Sequence, residues 1–198
     1  MSVKKTALDK DLKWQKRMDA GMGATASISA KLGLAIVFLL ACSAFVAFHM
    51  GGLPQSGFLI AAAVIGGYMA LNIGANDVAN NVGPAVGSKA LTMVGALLIA
   101  AVFEAAGAII AGGDVVGTIK NGIIDPNQMP DAQTFVWAMM AALLAAALWL
   151  NLATWLGAPV STTHSIVGGV MGAGMAAVGL GAVNWPTMGT IAASWVIS

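Results

Sequence analysis

The sequence predicts an all-α, polytopic membrane helix bundle with broken or re-entrant helices. Three observations lead there: an apolar composition, apolar stretches of spanning length, and short polar islands set between them. Of 198 residues, 59% are hydrophobic and 9% charged. Soluble domains carry about 25% charged residues, because a folded surface must be solvated. Nine basic and eight acidic side chains do not cover a water-soluble globule of this size.

The charges are unevenly placed. Residues 1–31 hold seven of the nine basic residues (Lys4, Lys5, Lys10, Lys13, Lys16, Arg17, Lys31) against Asp9, Asp11 and Asp19, a net of +4. Residues 32–198 hold Lys89 and Lys120 against Asp77, Glu104, Asp114, Asp125 and Asp131, a net of −3. A basic tail on an apolar body follows the positive-inside pattern. It implies an integral cell (inner) membrane protein, multi-pass, with a cytoplasmic N-terminus. Three acids interrupt the tail and no folded basic module follows, so no nucleic-acid partner is expected. A cleaved signal peptide is also disfavoured, since the charged region is too long and no small-residue cleavage pattern ends the apolar run. Cys42, the single cysteine, lies inside that run and reads as a packing residue.

A helix crossing about 30 Å of hydrocarbon needs about twenty mostly apolar residues. The first such stretch is Leu32–Met50. The second begins near Phe58, stays apolar to Leu71 and then meets a polar cluster. The third, Leu91–Ala111, is uncharged except for Glu104. The fourth, Phe135–Leu156, has Trp137 and Trp155 near its ends, where aromatic belts favour them. The fifth, Ser161–Val183, is rich in Gly and Ala, and a sixth begins at Thr187. With the tail inside, Gly51–Gly57 falls outside, Lys89 returns inside, and Gly112–Pro130 forms an outside loop carrying Asp114, Lys120 and Asp125. The glycines of 168–181 predict a face where helices approach closely. Neither a P-loop nor a dinucleotide-binding pattern surrounds them.

Two polar islands carry the chemistry. The first, Asn72 to Pro84 (NIGANDVANNVGP), places Asn72, Asn76, Asp77, Asn80 and Asn81 within ten residues. On a helix Asn76 and Asn80 share one face, with Asp77 beside them. Gly74, Gly83 and Pro84 offer places for the helix to break. A carboxylate with several amide oxygens suits a small cation such as Na⁺, held by Asn76 and Asp77, while amide NH₂ groups can donate to an anion. Hydrogen bonding between helices accounts for one asparagine. Four asparagines and an intramembrane aspartate point to function.

The second island is GAPVSTTHS, Gly157 to Ser165. Gly157 and Pro159 end the fourth span, and Ser161 is a natural N-cap for the next helix. Ser161, Thr162 and Thr163 then offer hydroxyls beside backbone N–H groups that lack intrahelical partners, an arrangement that attracts anions. Broken helices use it to hold anionic substrates inside membranes. His164 reads as a packing or hydrogen-bonding residue. Glu104, mid-span, must be protonated, paired with a cation or facing a wet cavity.

GANDVANNVGPAVGSKALT (74–92), FEAAGA (103–108), GTIKNGIID (117–125) and GAPVSTTHSIVGG (157–169) resemble the inorganic phosphate transporter (PiT) family. The resemblance implies a secondary transporter taking up phosphate with H⁺ or Na⁺, and no enzyme. No cofactor beyond that coupling cation is implied. It implies two inverted repeats, of which this chain is one half. By that likeness Asp77, Asn80, Ser161, Thr162 and Thr163 fall on phosphate-binding positions. Asn76, Asp77, Asn80 and Glu104 fall on cation-binding or coupling positions. The expected organisation is a cytoplasmic basic tail (1–31), an extra N-terminal span with a short loop (32–57), and a first transport repeat (58–198) truncated at its C-terminal end. The motif occurs once and the sequence stops inside an apolar segment, so an N-terminal fragment is expected. Its partners are then phosphate, the bilayer and the missing second repeat, with a homodimer left open.

Three rival readings stand beside this one. Sulfate is also tetrahedral and fits the same fold. An anion channel requires a continuous pore rather than a closed site. A hydrolase built on Ser161 and His164 lacks a nameable base and orienting group.

The charge asymmetry generates a topological prediction. In a Cys42→Ala background, Lys10→Cys should react with impermeant thiol reagents only from the cytoplasmic side. Labelling from outside would invert the assignment.

Overall fold

The computed structural model describes residues 7–197, with side chains described from residue 27 onward except at position 120. The basic side chains of residues 4–17 and of Lys120 therefore lie outside the described residues. Seven α-helices follow one another: α1 (Ala7–Met50), α2 (Ser56–Ile73), α3 (Ala79–Gly87), α4 (Met93–Asn121), α5 (Ala132–Leu156), α6 (Thr162–Val178) and α7 (Trp185–Ile197). A π-helical turn, Gly74–Val78, joins α2 to α3 without a break. The one pairing of extended residues is an isolated antiparallel bridge between Ile124 and Val183, among the described residues.

Among the described residues, four helical stretches are long and apolar enough to cross a membrane: Ser27–Met50, Ser56–Gly87, Met93–Ile119 and Ala132–Leu156. This is the all-α, polytopic architecture expected from the sequence. Three boundaries differ. The second span does not stop at the first polar island; the island is helical and lies within a 32-residue stretch. The chain does not break at Gly74, Gly83 or Pro84, because a π-turn absorbs the irregularity and the helix continues through Pro84. The expected loop from Gly112 is helix as far as Asn121, which places Asp114 on α4. α6 has 17 residues, about 25 Å at 1.5 Å per residue, short of a full crossing.

Helix ends follow local chemistry. Thr92, Asp131 and Ser161 are N-caps whose side-chain oxygens accept the N–H of Gly95 (3.1 Å), Thr134 (2.7 Å) and His164 (3.3 Å). The Asp131 carboxyl, also accepting the Thr134 hydroxyl, is held below its usual range chiefly by the Thr134 N–H. Its contribution is therefore present above the unfolded-state pKa and is lost as pH falls through the lowered folded value. α5 ends at Gly157, whose φ of +68° is a left-handed conformation that favours glycine. The Ala158 N–H then reaches back to the Ala153 carbonyl at 2.8 Å, closing the last turn.

α2, α5 and α6 form the centre. Met69 of α2 meets Ala146, Ala147 and Leu150 of α5. Phe58 packs edge-to-face on Trp137, centroids 4.6 Å apart, near the starts of α2 and α5. Residues near the ends of these helices meet as well, so the two run parallel. α6 returns along α5 so closely that a Cβ on Gly169 would lie 2.8 Å from the Ala142 carbonyl oxygen, and one on Gly174 would lie 2.5 Å from Ile124. These two positions bear out the close-packing reading of the glycine-rich segment. Ile123 and Ile124, fully buried, join Val167 and Val170 in a second core. That core is clasped by Asp125 N–H to Ala182 O (3.0 Å) and Asn184 N–H to Ile123 O (2.9 Å).

α1 and α4 lie at the periphery. α1 packs on α2, where Leu39 and Cys42 crowd the Cα of Gly67, bearing out the packing role of Cys42. α4 has its most extensive contact with α3. Phe48, Ile109 and Ile110 are each more than 80% exposed. Apolar surface on this scale is untenable in water and ordinary against lipid tails.

The α5–α6 seam yields a stability prediction. Gly169→Val should lower thermal stability in detergent by about 1–3 kcal/mol through overpacking. Gly168→Ala, where a Cβ meets nothing within 4 Å, should stay within about 0.5 kcal/mol of the parent. Equal unfolding midpoints for the two variants would show that the seam is not tight.

Candidate functional site

A π-turn inserts one extra residue into the helical repeat, and such turns recur at functional sites. Here it comprises Gly74–Val78 and presents Asn76 inward, 5% exposed. Asn80, four residues on, donates its amide to Asn76 Oδ1 at 3.2 Å. The expected pairing of these two side chains on one face is therefore present. Asn72, also buried, donates to the Tyr68 carbonyl at 2.8 Å and is structurally satisfied. Pro84 can offer no N–H to the Asn80 carbonyl four residues back.

Opposite Asn76 and Asn80 stands the turn that ends α5. The two walls enclose an open cleft of about 440 Å³, with Asn76, Ala79 and Asn80 on one side and Thr154 and Gly157–Pro159 on the other. Two segments some eighty residues apart in sequence, both irregular where their neighbours are regular, thus meet across one cavity.

The start of α6 follows immediately. Ser161 Oγ caps the helix, and Ser161 lines a separate cleft of about 430 Å³ with Trp149, His164 and Ser165, so Ser161, Thr162 and Thr163 do not line the cleft of Asn76 and Asn80. Thr162 is 7% exposed, and its hydroxyl has no hydrogen-bond partner. A helical threonine can usually donate to the carbonyl four residues back. For Thr162 that residue is Ala158, which lies in the non-helical turn. An unpaired buried hydroxyl costs about 1–3 kcal/mol. Thr163 is exposed on the same turn.

The remaining candidates lie elsewhere. Asp77 is half-buried on the π-turn and has no ion pair or hydrogen-bond partner among the described residues. Glu104 is exposed on α4 and lines a different groove, about 760 Å³, together with Asn81 and Val82 of α3. It does not join Asn76 and Asn80, because α4 follows the opposite face of the α2–α3 helix. Sequence reasoning did not foresee the Asn81–Glu104 juxtaposition or the place of Thr154 in the cleft. Neither had a local signal, since both depend on which helix faces which.

Residues 73–198 match the phosphate transporter family. The chain belongs to that family. It is 61% identical over 169 residues to a candidate phosphate permease of Helicobacter pylori strain J99, covering 85% of this chain and 32% of that protein. A similarity of that extent reaches back into α1, beyond the family match. A candidate phosphate permease of Mycobacterium tuberculosis is 46% identical over 175 residues, covering 81% of this chain and 32% of its own length. The fold is also that of a solved structure described as the sodium-dependent phosphate transporter. The TM-score is 0.67 at 46% identity, covering 70% of this chain and 34% of the other. This chain of the phosphate transporter family thus spans about a third of the length of the relatives it matches.

The family is one of transporters, not enzymes. The side chains agree: Ser161 Oγ is engaged by the His164 N–H, and the His164 ring lies on Trp195. The two form no nucleophile–base pair.

Proposed function

We propose that this chain supplies the first repeat of a secondary active transporter that moves inorganic phosphate across the cell membrane with a coupling cation. The observation that carries the reading is that Asn76 and Asn80 of the first island meet the Gly157–Pro159 turn of the second across one cleft. Asn76 and Asn80 face the turn that leads directly into Ser161, Thr162 and Thr163. Family membership supports phosphate over sulfate, and the sodium dependence named for the solved relative favours Na⁺ over H⁺. Irregular backbone from two helices meeting at one cleft supports alternating access over an open channel.

The site works by charge. Phosphate near neutral pH carries one or two negative charges and strong acceptor oxygens, so it requires donors and little nearby negative charge. Ser161, Thr162 and Thr163 supply hydroxyls and free backbone N–H groups, with the positive end of the α6 dipole behind them. The unpartnered Thr162 hydroxyl is the donor most clearly in need of an acceptor. Asp77 would repel the anion until a cation, held also by Asn76 and Asn80, neutralises it. Cation and phosphate then stabilise each other's binding, which is the physical content of symport. Glu104, in its own groove, acts in coupling rather than as a direct ligand of that cation. The second, inverted repeat supplies the rest of the site in the longer protein, whose N-terminus lies in the cytoplasm.

Proteoliposome uptake by the full-length protein tests the reading. Asp77→Asn should preserve insertion and remove cation-coupled uptake. Thr162→Val should weaken phosphate binding about ten- to hundredfold, the loss expected for one hydrogen bond to a charged group. Its melting temperature should hold, because that hydroxyl has no partner in the fold. Ser161→Ala should weaken phosphate binding similarly and also loosen the α6 cap. Titration of phosphate at saturating Na⁺ reads both. Parent-like affinity in the two variants would place the anion elsewhere.

A further inference from the structure

His164 sits one residue beyond the Ser-Thr-Thr turn, and its ring is committed to a partner on another helix. The imidazole lies over the Trp195 indole of α7, with centroids 3.7 Å apart and planes tilted by 34°. The rest of α7 is attached at its opposite end. There the Asn184 N–H reaches the Ile123 carbonyl and Val183 bridges Ile124, while Met188, Ile191 and Trp195 itself lean on the core beneath. α7 forms no extended backbone seam with any other described helix. Trp195 thus rests on the core with one part of its ring and meets His164 with another, so the ring pair connects that anchored side chain to the first turn of α6.

The same residue is linked to the site through its backbone. The His164 N–H is the group that Ser161 Oγ caps, at 3.3 Å. Ser165 adds a second tie, its hydroxyl donating to the Ser161 carbonyl at 2.8 Å. A rotation of His164 would therefore carry the Ser161 hydroxyl with it, and would swing the first-turn N–H groups that an anion must find already aligned.

We infer that His164 and Trp195 form an aromatic latch that positions the first turn of α6 for phosphate. They are positioning residues, not ligands, and the inference rests on the phosphate reading of that turn. A flat ring stacked on a second flat ring restricts rotation and tilt together, which one methyl-sized contact cannot do. The latch has consequences for affinity because an anion site built from backbone N–H groups and hydroxyls depends on alignment set before binding.

The test uses full-length protein in proteoliposomes, measuring phosphate KM, Na⁺ dependence and kcat separately. His164→Ala and Trp195→Ala should each raise the phosphate KM about two- to tenfold, the range one aromatic pair is worth. The Na⁺ dependence should change little. In phosphate KM the double alanine variant should be no worse than Trp195→Ala alone, since the ring contact is already gone there. Trp195→Phe and His164→Phe, which retain two stacked rings, should restore most of the affinity and also serve as folding controls. An unchanged phosphate KM in both alanine variants, or effects that multiply in the double variant, would overturn the latch. Absence of phosphate uptake by the parent protein would overturn the transport reading and this inference together, an outcome distinct from either of those.

Discussion

Hydrocarbon offers no partner to a peptide N–H or C=O, and this constraint shapes the whole chain. Each spanning segment must satisfy its backbone internally, so the described residues are almost entirely helical. Against that uniformity, irregular backbone at membrane depth needs protein or a polar cavity around it. The chain has two conspicuous irregularities near the central helices: the π-turn at Gly74–Val78 and the left-handed stop at Gly157 that precedes Ser161. They face each other across one cleft. The polar side chains of that cleft and its irregular backbone are thus two aspects of one requirement.

Packing sets the register that brings them together. In lipid there is little hydrophobic gain from burying one apolar helix against another, so close backbone approach and shape complementarity do the sorting. Alanines of α5 admit Met69 from α2, and Gly169 admits the Ala142 carbonyl. These seams hold α2 and α5 parallel and bring the start of α6 beside the end of α5. α1 and α4 contribute less to that centre and keep broad apolar faces. Glu104 accordingly stands apart from Asn76 and Asn80 even though all three are polar groups at membrane depth.

On the proposed reading, two side chains flanking the cleft carry the coupling: among the described residues the Asp77 carboxylate has no ion-pair partner and the buried Thr162 hydroxyl no hydrogen-bond partner. One is a charge that disfavours an anion when unneutralised; the other is a donor that an anion would satisfy. Binding of either ion removes a penalty that otherwise opposes the other. The core of the coupling is then electrostatic, two ligands of opposite charge held near each other, with Glu104 acting on it from its own groove.

Particular residues show how much could be read in advance. The paucity of charge and the length of the apolar runs determined a polytopic helical membrane protein. Local chemistry determined the Ser161 cap and the Gly157 stop, because each depends on a few neighbouring atoms. The i, i+4 spacing determined that Asn76 and Asn80 would meet. The π-turn was not legible: glycine and proline signal that a helix can break, and whether it breaks or shifts by one residue depends on what packs around it. Nor could the chain order show that Asn81 and Glu104 share a groove, or that Trp195 lies on His164, 31 positions earlier in the sequence. Those pairings have no local signature, since they are set by which helix faces which. The sequence by itself determined the solvent, the helices and the chemical groups on offer; only the tertiary structure decided which of those groups meet, because helix-to-helix seams in lipid are selected by fit between distant surfaces.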